Sequence, residues 1–259
     1  MSFRSRLLAG GVVIAALGSA AVAVPLVLRA PTRRTPEVRE DEEIPAATEA
    51  GETLRLVSLN LAHGRGTGRF QLFQEPEQLL GHLTVAGKLL ADLAPDAVAL
   101  QEVDGPSWWS GRRDHLAVLT REAGLRYAVH GAHVDGMGLQ YGTALGARHP
   151  LVQPLAHTFA PSPPSPPKGF TLAVLRAPGW PEIDVVSVHL DFFSPAARTS
   201  QLDEIVAVLA ERTRPLIILG DLNGGWQGPA RLLAEALDLH AWEPEAEVVT
   251  FPRLGGRLD

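Results

Sequence analysis

The sequence predicts an α/β or α+β layered sandwich, and three observations carry that reading. Short runs rich in Leu and β-branched residues recur between turn residues: LRLVSLN (54–60), DAVALQ (96–101), YGTALGA (141–147), FTLAVLR (170–176), IDVVSVHL (183–190) and PLIILGDL (215–222). Such runs read as strands, several of them buried on both faces. Stretches with apolar residues at steps of three and four lie between them, the pattern of helices that cover a sheet. The chain has 259 residues, 46% hydrophobic and 20% charged, enough to bury a sizeable core.

From the N-terminus, residues 7–28 (LLAGGVVIAALGSAAVAVPLVL) form an uncharged apolar run, preceded by Arg4 and Arg6 and followed by Arg29, Arg33 and Arg34. At about 1.5 Å per residue, a helix of this length crosses the hydrocarbon core of a bilayer. The run is expected to be a signal anchor; the alternative is a secretory signal peptide cut after Ala21-Val22-Ala23, and the length of the run favours the anchor. Arginines on both flanks leave the orientation weakly determined. The expected location is the cell membrane, single-pass, with the catalytic part outside the cytoplasm, or the exterior if the run is cleaved. Residues 29–52, rich in Pro, Arg, Glu and Asp without an apolar period, are expected to be a disordered, solvated linker. The folded region would then span residues 53–259.

Within it, residues 76–93 place Leu79, Leu83, Ala86, Leu90 and Leu93 on one helical stripe. Ser194 and Pro195 read as the N-cap and first position of a helix reaching about Arg212, with Leu202, Ile205, Val206 and Leu209 inward. Residues 228–237 give another short helix. The Pro-rich stretch APSPPSPPKGF (160–170) reads as a stiff surface loop.

Composition narrows the chemistry. With no Cys there is no disulfide framework, thiolate zinc site, cysteine nucleophile or iron–sulfur cluster, and any metal must be held by oxygen or imidazole. The formal charge is −6. Residues 1–52 hold six Arg and seven acids, leaving 17 basic and 22 acidic residues in the remainder, a net of −5. An acidic folded part with only two lysines, Lys88 and Lys168, weakens a nonspecific-nuclease reading, which needs cations to neutralise backbone phosphates.

Polar side chains gather where four strands end: Asn60 after LRLVSL, Glu102 after DAVALQ, His189 and Asp191 after DVVSV, and Asp221 and Asn223 after LIILG. Strand-end loops on a rigid sheet are where reactive groups are presented to ligands. A carboxylate and carboxamides are hard oxygen donors suited to Mg²⁺ or Mn²⁺. An Asp can orient and deprotonate water, while His and Asn can hold phosphoryl oxygens as charge builds. Hydrolysis of a phosphoester is the natural sum.

SLNLAHGRG, ALQEVD, YGTALGARHP, VVSVHLD and LIILGDLN, in this order, resemble the endonuclease/exonuclease/phosphatase superfamily from about Leu54 onward. The resemblance implies a four-layer α/β sandwich, two packed β-sheets flanked by helices, with the active site at one end of the sheets. Residue by residue it implies Glu102 as metal ligand with Asn60 beside it, and His189 as a phosphate contact with a part in proton transfer. It further implies that Asp221 activates water, that Asn223 steadies the phosphoryl group, and that Asp259 in RLD orients a final catalytic His. Asn60, His63 and Tyr141 are placed as substrate contacts. The family's closing Ser-Asp-His motif is not found before Asp259, so truncation and reduced hydrolysis are expected for the chain as it stands.

The expected partners are a phosphoester substrate (a lipid headgroup, small phosphoester or nucleic acid) and a membrane, through residues 7–28; the expected state is a monomer. The rival readings are a degenerate membrane-attached phosphate-binding module and a nonspecific DNA endonuclease. Trp108, Trp109, Phe192, Phe193 and Trp226 lie near the site residues in sequence, either packing loops or meeting a lipid. Arg65, Arg112, Arg113, Arg148 and Arg198 are candidates to line a phosphate cleft. Arg65 and Arg69 with Phe70 and Phe73 fall in the same two-way class as those aromatics. His130, His133, His149 and His157 read as structural or exposed.

Overall fold

Alternating strands need two partners each, and here they find them in two five-stranded mixed sheets. The computed structural model describes residues 23–66, 68, 71, 74–225 and 228–241. Its strands are β1 (Arg33–Arg34), β2 (Val38–Glu40), β3 (Leu56–Asn60), β4 (Ala97–Asp104), β5 (Tyr127–Gly136), β6 (Leu139–Ala147), β7 (Leu151–Thr158), β8 (Gly169–Leu175), β9 (Ile183–His189) and β10 (Leu216–Asp221). One sheet has the order β1-β7-β8-β9-β10, the other β2-β5-β6-β4-β3. The pairs β3/β4 and β9/β10 are parallel, and the other pairs are antiparallel.

Side-chain alternation along β4 shows how the layers form. Val98 and Leu100 face α1 (Pro76–Leu93) and α2 (His115–Ala123), packing with Leu83, Leu90, Leu116 and Leu119. Ala97 and Ala99 face the other sheet and pack with Ala173, Leu175 and Val185. On the far side, Phe170, Leu172, Val186 and Val188 pack against α3 (Pro195–Leu209) and α4 (Pro229–Leu237) through Leu202, Ile205, Leu209 and Leu233. The result is helix, sheet, sheet, helix, four layers in which strands buried on both faces carry near-continuous apolar runs.

The caps follow the local chemistry. Ser194 accepts a hydrogen bond from the Ala197 N–H at 3.1 Å with Pro195 at the first helical position, as its sequence reading expects. Asp114 does the same for α2 through Ala117, and Gly124 ends that helix in the left-handed region.

Two expectations are corrected. The linker expected over residues 29–52 is docked in its first half: β1 pairs with β7 and β2 with β5, while Arg29 donates to the carbonyls of Phe159 and Thr158 and Arg34 to that of Ala132. Guanidinium groups satisfying exposed carbonyls at two sheet edges outweigh the polar composition of the segment. On α1, Leu93 is exposed rather than inward, and Gly87 takes the inward position beside Leu83 and Leu90. Residues 23–28 are helical; the rest of the expected anchor lies outside the described residues. Among the described residues no helix is long and apolar enough to cross a membrane.

Candidate active site

Parallel and antiparallel pairing together decide which strand ends meet. β3, β4, β9 and β10 all finish at one end of the sandwich, and β6 and β8 begin there, with Asp104 opposite Tyr141, Gly169 opposite His189, and Asp221 opposite His189. That end holds Asn60, Glu102, Tyr141, Lys168, His189, Asp221 and Asn223.

Glu102 is turned into the site by a break in β4. The β4/β6 register shifts between Leu100 and Val103, and Glu102 takes a left-handed φ of +52°. Such bulges recur beside active sites because they re-aim one side chain out of the pleat. Before the bulge, Gln101 reaches across the sheets to Ser187 Oγ at 3.1 Å, locking the two strands that carry Glu102 and His189.

The site residues converge. His189 Nε2 lies 4.0 Å from a Glu102 carboxylate oxygen and 3.8 Å from one of Asp221. Asn60 Nδ2 donates to Asp221 Oδ2 at 2.9 Å, and Asn60 Oδ1 accepts from the Ala62 N–H. The Asn223 N–H donates to the other Asp221 oxygen at 3.0 Å. Asn223 Nδ2, expected to steady a phosphoryl group, instead donates to the Leu190 carbonyl at 2.9 Å and is buried. Through its N–H Asn223 also orients Asp221, and its φ of +48° in the tight turn after β10 folds the carboxamide back onto the strand end.

His63 is oriented by a buried pair. Its Nδ1 lies 2.6 Å from Asp104 Oδ1, and the Trp109 indole N–H donates to the other Asp104 oxygen. Its Nε2 faces Glu102 at 3.5 Å. The ring also meets Tyr141 and Trp109 edge-on, at centroid separations of 4.8 and 5.2 Å, so the imidazole is held on three sides.

Lys168 was not singled out in the sequence as a site residue, because it sits in the Pro-rich loop read as a surface connector. It is half-buried, with Nζ 3.1 and 3.2 Å from the two ring nitrogens of His189 and 3.9 Å from Glu102. The useful clue was its position just before a buried strand that pairs with β9, in a chain with only one other lysine. Glu102, His133, Tyr141, Gly142, Thr143, Pro167, Lys168 and His189 line a small pocket.

Electrostatics match this crowding. Burial pushes the Glu102 carboxyl up, but His63, Lys168, His189 and Arg65 together pull it down to about 2. Burial, then the neighbouring Lys168, holds His189 well below the ordinary imidazole range. Burial lowers Lys168, opposed by Glu102, Asp221 and Asp191. Burial, reinforced by Asp104 and Glu102, raises the Tyr141 phenol. Glu102 is thus ionised and the His189 imidazole neutral near pH 7.

The remaining candidates separate. Of the five candidate arginines, Arg65 approaches Glu102 at 3.8 Å, whereas Arg198 donates to the carbonyls of Asp191 and Phe192 and supports their turn. The Arg148 N–H bonds the Asp96 carbonyl at the opposite end of the sheet. His130 bonds the Val103 carbonyl, His133 sits between Thr143 and Thr158, His149 faces Asp96, and His157 faces Glu204. Asp259, Trp226, Arg69, Phe70 and Phe73 lie outside the described residues.

Two mixed sheets packed face to face, with carboxylates and an imidazole gathered at one end, place the chain in the α/β-sandwich class. It belongs to the Endonuclease/Exonuclease/phosphatase family, whose model matches residues 57–259. Members of that family are generally hydrolases of phosphoester bonds: phosphodiesterases, phosphatases or nucleases. Among solved structures, the chain is similar to an endonuclease/exonuclease/phosphatase from Beutenbergia cavernae DSM 12333, with 22% identity and a TM-score of 0.50, over 66% of this chain and 47% of that one. It is also similar to a family protein from Leptotrichia buccalis C-1013-b, at 16% identity and a TM-score of 0.51, over 71% and 73% of the two chains. A third, the endonuclease/exonuclease/phosphatase from Bacteroides vulgatus, gives 16% and 0.51 over 70% and 69%. The matched part is thus less than half the length of the Beutenbergia protein. No curated protein matches the chain.

Proposed function

We propose that the chain is a divalent-metal-dependent phosphoesterase that hydrolyses its substrate by in-line attack of water at phosphorus. The observation that carries this reading is the meeting of Glu102, His189 and Asp221 within 4.0 Å of one another's polar atoms through His189, on three strands drawn from both sheets. Membrane attachment through residues 7–28, with the folded part outside the cytoplasm, belongs to the same proposal and is supported by the charge-free run itself.

The donor set fits Mg²⁺ or Mn²⁺. Glu102 is ionised, and the described residues contain no group of three or more His, Cys, Asp or Glu that could cage an ion. Mg²⁺ commonly takes one or two carboxylates, keeps several waters and shares phosphate oxygens. Glu102 would hold the ion, with the free lone pair of Asn60 Oδ1 beside it. When bound, the ion neutralises charge on the phosphoryl oxygens.

The chain's own residues do the rest. Asp221, with both oxygens oriented by Asn60 and the Asn223 N–H, accepts a proton from water as its oxygen bonds to phosphorus. Lys168 and His189 lie beside one another to hold the phosphoryl oxygens, and the ester oxygen leaves with its bonding pair. Lys168 supplies a fixed charge where few other cations reach. The acidic surface and shortage of lysine favour a lipid headgroup or small phosphoester over bulk nucleic acid.

The test is turnover of bis(p-nitrophenyl) phosphate by the full chain with and without Mg²⁺, beside Glu102→Gln and Asp221→Asn. Metal-dependent release of nitrophenol that both substitutions abolish supports the reading. Binding of phosphate without any turnover would instead establish a binding module.

A further inference from the structure

We propose that the site-bearing end of the sandwich is a docking face for a phospholipid bilayer, so that the catalytic mouth opens against the membrane surface. The inference rests on the apolar rim of that mouth, and it supplies a lipid phosphoester as the substrate class of the site proposed above.

Among the described residues, seven exposed large apolar side chains lie in segments at the catalytic end (Val24, Leu26, Val27, Trp108, Met137, Phe192 and Phe193); the others are Val85, Leu89 and Leu93 on α1, Leu232 on α4 and Trp180 at the opposite end. Met137 at the tip of the β5–β6 hairpin is 73% exposed, Phe193 after β9 is 70%, and Val27 is 66%; Trp108, Phe192 and Val24 are exposed as well. They are joined through backbone rather than scattered. The Trp108 N–H donates to the Gly138 carbonyl at 3.0 Å, which puts the indole against the hairpin tip beside Met137. The Val27 carbonyl lies against Gly136 of the same hairpin, and Leu28 packs with Val134 and Tyr141, a side chain that lines the catalytic pocket.

Across the mouth, Phe192 and Phe193 stand edge to face at 5.2 Å. Their turn is clamped: Asp191 accepts from the N–H groups of Phe193 and Ser194 at 2.8 Å each, and Arg198 binds the Phe192 carbonyl. A rigid turn that holds aromatic rings in water forgoes the burial such rings usually gain. Rings and long aliphatic side chains at one edge of a fold are stabilised where a bilayer accepts them, at the boundary of headgroups and acyl chains.

The occupant follows from how the chain enters. Residues 7–22 carry no charge, and the apolar run continues through Leu28 into this rim. Residues 23–28 are helical, and a six-residue helix rises only about 9 Å. A membrane-embedded run ending there leaves almost no tether between the bilayer and Tyr141. The arginines that would otherwise form a spacer are already spent: Arg29 and Arg34 bond carbonyls of the fold. Attachment at this point brings the mouth to the headgroup level, where a phosphoester is presented from the lipid side.

The absence of Cys makes the test direct. Single cysteines are introduced in the full chain as Met137→Cys, Phe193→Cys and, at the β8–β9 turn on the opposite end, Trp180→Cys. Each is labelled with a polarity-sensitive dye and reconstituted into vesicles of phosphatidylcholine and phosphatidylglycerol containing doxyl-labelled lipid. The expected result is a blue shift and lipid-borne quenching for labels at 137 and 193, with a water-like, unquenched label at 180. Rim labels as wet as the one at 180 overturn the proposal; so does a blue shift without quenching by the doxyl lipid, which would assign the rim to a second copy of the chain. The double substitution Met137→Ser with Phe193→Ser should lower turnover of vesicle phospholipid at least about tenfold, since one buried large apolar side chain is worth more than a factor of ten in partition, and leave the soluble aryl diester unaffected. Equal turnover of vesicle lipid by both proteins overturns it. Failure of the wild-type chain to turn over the aryl diester would sink the catalytic reading alone, because the label depths do not depend on turnover.

Discussion

Asn60 and Asp221 stand on the outer strands of different sheets, 161 residues apart in the chain, yet Nδ2 of Asn60 donates to Oδ2 of Asp221 at 2.9 Å. The bond ties β3 to β10 where, among the described residues, neither has a further strand beyond it, and it leaves Asp221 Oδ2 oriented between the two sheets. One amide therefore helps to hold both the sheet edges and the proposed base. Asn60→Ala should lower stability by about 1–3 kcal/mol, the cost of stripping a partner from a half-buried carboxylate, and lower turnover with it. Asn60→Asp should be worse for activity than Asn60→Ala, because two carboxylates at this distance force one to keep a proton. Urea unfolding and aryl diester turnover of the two variants check both statements; equal activity of the two would remove the orienting role.

Much of this geometry was legible in the residues. The six strands read from Leu and β-branched runs all form, and a helix spans Pro76–Leu93 as its pattern predicts, although Leu93 itself faces out. What escaped was structure whose local pattern is interrupted. β5 contains Gly131 and two histidines, and β7 contains Pro154 and a register shift between Val152 and Leu155, so neither shows a clean alternation. β1 and β2 exist only because β7 and β5 offer them free edges, a tertiary cause that no window of 29–52 contains. At the site, strand-end polarity pointed to Glu102, His189 and Asp221, but the inward turn of Asn223 and the approach of Lys168 to His189 depend on contacts with other strands.

Lys168 should act on phosphate binding more than on the water. A charge-assisted hydrogen bond is worth about 1.5–3 kcal/mol, so Lys168→Met should weaken competitive inhibition by inorganic phosphate roughly 10- to 100-fold. Lys168→Arg should recover part of that loss by keeping the charge. Inhibition constants against the aryl diester provide the check, and an unchanged constant for Lys168→Met would remove Lys168 from the phosphate site.

The buried histidines predict an acid limb in stability. Burial drives the His130 imidazole down to about 4, against an ordinary value near 6.5 in the unfolded chain. Above pH 6.5 neither state binds the proton and stability is at its full value. Below it the unfolded chain takes up a proton that the folded one refuses, so stability falls until the folded group titrates near pH 4. The loss over that window is roughly 3 kcal/mol. His133, lowered further by burial and by Arg34, steepens the same limb. Urea midpoints between pH 7 and 4 should fall less for His130→Gln, which keeps a donor for the Val103 carbonyl, than for the parent; parallel curves would contradict the assignment.

Gly220 sets the spacing of the strands that deliver His189 and Asp221. It pairs with Val188 at a φ of +151°, and a Cβ added there would lie 2.0 Å from the Val188 carbonyl oxygen and 2.8 Å from its nitrogen. Both obstacles are backbone, so no side-chain rotation relieves them, and β10 must shift away from β9 next to the site. Gly220→Ala should cost about 1–3 kcal/mol in strain alone and reduce turnover by displacing Asp221 from His189. Gly225→Ala is the control: among the described residues nothing lies within 4 Å of the added carbon, so its effect should stay within about 0.5 kcal/mol. Unfolding curves that place the two variants together would mean that β10 tolerates the displacement, and that the close approach of Gly220 to Val188 is not what holds Asp221 at the catalytic end.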